Sequence, residues 1–185
     1  MNSLENWFCA WGFWRYATER KWLPWLLEGV ELGESVLELG AGPGAATREL
    51  ARRARCVTSL EYSHNFCVGL KSKIGAKRVV QGDASALPFE ERTFTGAIAV
   101  LVLHHLRSRE AQDRAFAEIH RVLKPGGIFV ALEIDDGWLT RLVHIRSTFV
   151  PFLPDGANHR LSMAGFSNIE VTRRTGGFRL RAWRV

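Results

Sequence analysis

Apolar positions along the chain change period several times. Between residues 4 and 27, Trp7, Trp11, Trp14, Thr18, Trp22 and Trp25 recur at spacings of three and four, one face of a helix that Pro24 closes or kinks. From residue 35 onward, short apolar runs alternate with amphipathic stretches. The pattern predicts strands at 35–41, 56–62 and 78–83, with helices at 44–53 and 63–75 between them. After the loop LPFEERTF, the run GAIAVLVL (96–103) is apolar throughout and reads as a fourth strand covered on both faces. A helix over 108–123 is broken by Pro125-Gly126-Gly127 and followed by a fifth strand at 128–134. Further helices are predicted at 138–152 and at 158–164, the latter ended by Gly165. The runs 168–174 and 178–184 flank Thr175-Gly176-Gly177 and read as a hairpin. Strands alternating with helices at this spacing mean βαβ units and a parallel sheet, to which the hairpin adds one antiparallel strand.

Length and composition narrow this picture. The 185 residues suit one domain, with 1–30 as an aromatic helical extension and 31–185 as the core. Hydrophobic residues at 46% and charged residues at 24% exclude wholesale disorder. The longest uncharged apolar run is about eight residues, against roughly 20 for a membrane helix. Cys9, Cys56 and Cys67 form no CxxC pair, and the N-terminus lacks a basic-then-apolar signal pattern; a reducing cytoplasm is expected, without a disulfide framework or a thiolate zinc site. The net charge of +6 sits at one end, since 141–185 carry eight Arg against Asp155 and Glu170. Such an end attracts phosphate, but a solvated arginine-rich hairpin face is the favoured reading.

The chemistry concentrates where the first strand meets the first helix, in Glu38-Leu39-Gly40-Ala41-Gly42-Pro43-Gly44. Glycines there allow a tight turn and close approach of a ligand to the backbone, and the following helix offers unpaired N–H groups to an anion. Glu61, at the end of the second strand and 21 residues after Gly40, has the position of an acid that accepts from ribose hydroxyls. A nucleoside-bearing cofactor follows from the two features together. The string reads equally as GxGxG and, with Ala45, as GxGxxA, so spacing alone leaves a dinucleotide open.

The stretch from about Val36 to Asp135 resembles the class I S-adenosylmethionine-dependent methyltransferases, and within them the small-molecule branch that includes the ubiquinone and menaquinone methyltransferases. VLELGAGPG, LEYS, GDASALPFEERTF, AVLVLHHL and RVLKPGGIFVALE stand in the order of that family's motifs. The resemblance implies a doubly wound, Rossmann-like, mostly parallel seven-stranded sheet with helices on both faces and a C-terminal antiparallel hairpin. It implies S-adenosylmethionine as cofactor and S-adenosylhomocysteine as product. By the same resemblance the cofactor lies along Gly40, Ala41, Gly42 and Gly44. Glu38 is expected near its methionine ammonium, Glu61 on its ribose with Tyr62 alongside, Asp83 on its adenine amino group, Ala84 on the ring, and Leu101 near the methionine part. As strand-end or turn acids, Glu38, Glu61 and Asp83 also have purely structural readings.

His104 and His105 follow the fourth strand at the edge where ligands bind, and are the candidate general bases; packing and solvation are their plain alternatives. His144, Asp135 and Tyr16 are weaker candidates. The Asn/Asp-Pro-Pro-aromatic motif of exocyclic-amine methylation is absent after strand four, and no Cys follows a Pro. Asp135-Asp136 lack an oxygen partner after strand four, so no metal is expected. The tryptophan face is open to three readings: core packing, a lid over an apolar acceptor, or contact with a membrane surface. The expected reaction is methyl transfer to a small-molecule or lipid-like acceptor, nucleic acid being disfavoured. The alternatives are a non-catalytic S-adenosylmethionine-binding protein and an RNA-associated methyltransferase of the same fold.

Overall fold

The computed structural model describes residues 16–74, 78–145 and 148–185. Seven strands join in one sheet: β1 (Ser35–Leu39), β2 (Cys56–Glu61), β3 (Val79–Gln81), β4 (Phe94–Val100), β5 (Leu123–Ile134), β6 (Ser167–Arg174) and β7 (Gly177–Trp183). Their order is β3-β2-β1-β4-β5-β7-β6. Every pairing from β3 through β5 is parallel, and β7 runs antiparallel to both β5 and β6. The chain thus winds outward from β1 to β3, returns to β4 beside β1, and winds outward again. Ligand crevices form at such a reversal, beyond the carboxyl ends of the strands.

The helices are α1 (Leu23–Leu26), entered through a π-helical turn at Thr18–Trp22, α2 (Thr47–Arg53), α3 (His64–Ile74), α4 (Arg109–Val122), α5 (Trp138–Val143) and α6 (Ala157–Met163). The strands sort their side chains by period two. Leu37, Leu39, Ala97, Ala99, Phe129 and Ala131 pack with Phe116 and Ile119 of α4 and Leu161 of α6. Val36, Ile98, Val130 and Leu132 pack on the opposite face with Leu23 and Leu26 of α1 and Leu50 of α2. Both faces are covered, which is why these strands read as unbroken apolar runs. Phe116, Phe129 and Phe178 are wholly buried, each stabilising the fold by roughly 2–3 kcal/mol.

Trp22 and Trp25 meet edge to face at 5.9 Å and pack against the second of these clusters, the core reading for this part of the aromatic face. Trp7, Trp11 and Trp14 lie outside the described residues. Arg179 donates to Trp25 O and Arg181 to Glu28 O, pinning α1 to the terminal hairpin. All seven described arginines of 141–185 have such partners: Arg141 on Asp136, Arg160 on Asp113, Arg173 on Asp155, Arg174 over the Trp25 ring, and Arg184 on the last carbonyls of α4.

Three differences from the sequence expectation bear on the site. β4 stops at Val100 rather than 103, because Leu101 turns into the left-handed region at φ 58°. Pro125-Gly126-Gly127 lie inside β5 at a register shift, where the missing Pro N–H is tolerated and Gly126 N–H pairs with Arg184 O at 2.6 Å. The helix expected over 138–152 covers only Trp138–Val143. Pro151 biases Val150 toward extended backbone, and Val150 N–H bonds His104 O at 2.8 Å while its carbonyl accepts from Gln112 at 2.8 Å.

Candidate functional site

A cleft of about 800 Å³ opens at the carboxyl edge of the sheet, over the reversal between β1 and β4. That is within the roughly 300–1,000 Å³ usual for small-molecule and cofactor sites. Its lining includes Glu38, Gly40, Ala41, Gly42, Glu61, Tyr62, Asp83, Ala84, Leu101 and His105. Gly44 and His104, also expected there, do not line it. Gly44 has φ 89°, and a Cβ on it would stand 2.6 Å from Leu70 Cδ1, so its part is to let the turn close onto α3. Thr18, from the turn before α1, reaches the cleft as well.

The three acids are held in different ways. Glu61 Oε2 accepts from Gly42 N–H at 2.8 Å and Oε1 from Ser63 N–H at 2.7 Å, which ties the glycine turn to the end of β2. A carboxylate oxygen has two lone pairs, so each keeps one for a ligand hydroxyl. Asp83 Oδ1 accepts from Ser85 N–H and Oγ–H, both at 2.8 Å, the turn role foreseen for it; among the described residues Oδ2 has no partner. The loop behind Asp83 is fixed by α4, where Glu118 accepts from Leu87 N–H and Arg121 donates to Phe89 O and Leu87 O.

Glu38 is 2% exposed, and its Oε2 accepts from Thr47 Oγ–H and Ser59 Oγ–H, each at 2.7 Å. Ser59 is its register partner on β2, and Thr47 opens α2. Burial pushes its carboxyl up to about 7, helped by neighbouring Glu61 and opposed by the two hydroxyls. Oε1 takes no hydrogen bond from the described residues, and Glu38 lines the cleft. A carboxylate so placed is strengthened by a cation arriving from the cleft.

Across the cleft, Glu133 at the end of β5 is 1% exposed and organises the turn after β4. Its Oε1 accepts from Val102 N–H at 3.0 Å and Leu103 N–H at 2.7 Å, and its Oε2 pairs with His104 Nδ1 at 2.5 Å. Leu101 N–H still bonds Leu132 O of β5 at 2.9 Å, and from Val102 onward Glu133 takes the place of the ladder, drawing His104 under the turn while His105 stays on the cleft. Burial and the neighbouring rings of His104 and His144 push His105 down to about 3, so it is neutral. Gly40, at φ 60°, meets the same turn: a Cβ there would lie 2.4 Å from Val102 Cγ2. Over the mouth, the Arg107 guanidinium donates to Tyr62 Oη and lies 5.6 Å from that ring. Among the weaker candidates, Asp135 and His144 do not line the cleft, and Tyr16 is exposed.

Sequence reasoning missed Thr47, Ser59 and Glu133. One signal existed for Glu133, a lone charge in the apolar run IFVALEI; nothing marked the hydroxyls.

A sheet of this order, with a glycine turn after β1 and an acid ending β2, defines a class I S-adenosylmethionine-dependent methyltransferase fold. The model of the family described as Methyltransferase domain matches residues 37–131, and the chain belongs to that family. Among curated proteins it is similar to a demethylmenaquinone methyltransferase of Thermobifida fusca, 38% identical over 122 residues covering 62% of this chain and 50% of that protein. It is also similar to a sterol 24-C-methyltransferase of Schizosaccharomyces pombe, 34% identical over 112 residues covering 57% of this chain and 29% of that one. The chain thus spans half or less of the length of these two relatives. Among solved structures, an S-adenosylmethionine-dependent methyltransferase of Thermotoga maritima, titled a possible histamine N-methyltransferase, superposes with TM-score 0.76 at 17% identity over 98% of both chains. That likeness is one of fold.

Proposed function

We propose that this chain transfers a methyl group from S-adenosylmethionine to a small-molecule or lipid-like acceptor in the cytoplasm, with 31–185 as its cofactor core and 1–30 as an extension. The observation that carries the proposal is the convergence of Glu38, Glu61 and Asp83 with the glycine turn on one cleft. The residues suit the cofactor group by group. Glu61 keeps lone pairs for the two ribose hydroxyls, Asp83 Oδ2 for the adenine amino group, and Ala84 its backbone for the ring. Glu38 Oε1 meets the ammonium, a charge-assisted contact in a shielded site. Gly40, Ala41 and Gly42 let the ligand approach the backbone, and Leu101 borders the methionine part. Tyr62 with Arg107 covers the mouth.

The cofactor supplies a methyl on a positively charged sulfur. The protein's part is to hold the acceptor in line with that bond and keep water away, worth up to about 7–11 kcal/mol in the best cases. Of the two histidine candidates, His105 lines the cleft, which supports contact with an acceptor, while His104 acts through the turn it anchors. Neutral His105 suits a hydrogen bond that orients the acceptor. Phe66, Leu101, Val102 and Leu106 give the cleft apolar walls, and the similarity to quinone and sterol methyltransferases supports an acceptor of that kind. The free thiols of Cys56 and Cys67 support a reducing compartment. Among the described residues no helix is long and apolar enough to cross a membrane. The intramolecular partners of the C-terminal arginines weigh against an RNA-guided role.

The test is methyl transfer from labelled S-adenosylmethionine to a panel of hydroquinones, phenols, sterols and small amines. Turnover on an apolar member is expected. Binding of the cofactor with no transfer to any member would favour the non-catalytic reading, and transfer confined to RNA would overturn the acceptor class.

A further inference from the structure

Three histidines meet where the turn after β4 packs on the end of α5. The ring centroids of His104 and His105 lie 4.2 Å apart, those of His104 and His144 5.2 Å, and those of His105 and His144 5.3 Å. One potential ligand nitrogen from each lies within 4.8 Å of the others. Two of the rings also have one nitrogen on a fixed acceptor: His104 Nδ1 is on the buried Glu133 carboxylate at 2.5 Å, and His144 Nδ1 is on Thr140 O at 2.6 Å. Neutral His104, donating to Glu133 through Nδ1, presents Nε2 as a lone pair. Metal-bound histidines are oriented in this way, by a carboxylate or carbonyl holding the far N–H. Simple aromatic packing gives no reason for His104 to be held by a buried carboxylate and His144 by a carbonyl.

We propose that His104, His105 and His144 bind one divalent transition-metal ion, zinc in the first instance, at the edge of the cleft. Three imidazoles suit zinc, copper, iron or nickel better than magnesium or calcium. Tetrahedral zinc at about 2.0–2.1 Å from each nitrogen needs nitrogens roughly 3.4 Å apart, so the nitrogens, now within 4.8 Å of one another, close by up to about 1.4 Å. Three protein ligands leave a fourth position, as in catalytic rather than structural zinc sites. His105 and Thr148 both line the cleft, so the ion borders the acceptor space. It would take the His105 nitrogen assigned above to the acceptor and offer its own open position instead. The earlier expectation of no metal weighed oxygen donors near Asp135 and Asp136, a different donor set. The proposal stands apart from methyl transfer and does not depend on it.

The full chain, stripped with chelator, is titrated with Co²⁺ by visible absorption and with Zn²⁺ by calorimetry. One equivalent is expected, with the strong absorption of tetrahedral cobalt, displaced by zinc. His105→Ala and His144→Phe should each weaken binding about tenfold or more. The second keeps the ring packing on Phe149, 4.7 Å away, and both variants are checked by thermal melting. His120→Ala and His159→Ala should bind as the parent protein does. Absence of a stoichiometric site, or affinity unchanged in folded His105→Ala and His144→Phe, overturns the proposal.

Discussion

Glu38 should make cofactor binding depend on pH. Desolvation and, to a lesser degree, Glu61 hold its carboxyl at about 7 while Thr47 and Ser59 pull the other way. An ammonium beside Oε1 favours the ionised form and returns the group toward the ordinary carboxylate range. With Glu38 ionised in the complex, affinity follows the ionised fraction of the free protein, about 9% at pH 6 and about half at pH 7. The dissociation constant should therefore fall about fivefold between pH 6 and 7, and close to one proton should be released per cofactor bound at about pH 6. Calorimetry in two buffers of different ionisation enthalpy reads both quantities, and Glu38→Gln should flatten the slope. The same group acts on stability. Its native value lies above the ordinary 4.5, so ionisation costs almost nothing below that pH and an increasing amount as pH rises toward 7. At pH 8 the cost approaches about 3 kcal/mol at most. Glu38→Gln should therefore melt higher than the parent protein at pH 8, with the gap closing near pH 4.5. A dissociation constant flat from pH 5 to 7 with no proton release would refute this reasoning.

Other changes should act through geometry. Gly40→Ala places a methyl against Val102 at a left-handed backbone position, so it should cost about 1–3 kcal/mol in denaturant unfolding and weaken cofactor binding in calorimetry. Glu133→Ala strands the buried Leu103 N–H, the half-buried Val102 N–H and His104, and should destabilise by about 3 kcal/mol or more in thermal or urea melts. A smaller loss would mean that the turn after β4 holds itself.

The strands were legible because burial on both sheet faces writes uninterrupted apolar runs, as in IFVALEI. The glycine turn and Glu61 were legible because tight turns and strand-end acids leave local signatures. What escaped was set by contacts distant in sequence. The end of β4 depends on Glu133, 31 residues beyond Val102. Residues 148–152 are held straight by His104 and Gln112, which no periodicity over 138–152 can register. The adjacent histidines were equal on paper, and only the Glu133 carboxylate distinguishes the buried ring from the cleft-facing one. His144 joined them only once α5 ended early and its last turn packed beneath both.

Calorimetric titration with S-adenosylmethionine against folded Glu61→Ala and Asp83→Ala bears most directly on the cleft as an adenosyl site. The parent protein should bind one equivalent, with affinity lost about tenfold or more in each variant, since hydrogen bonds to charged groups contribute about 1.5–3 kcal/mol. No heat of binding to the parent protein, or equal affinity in all three, would contradict it.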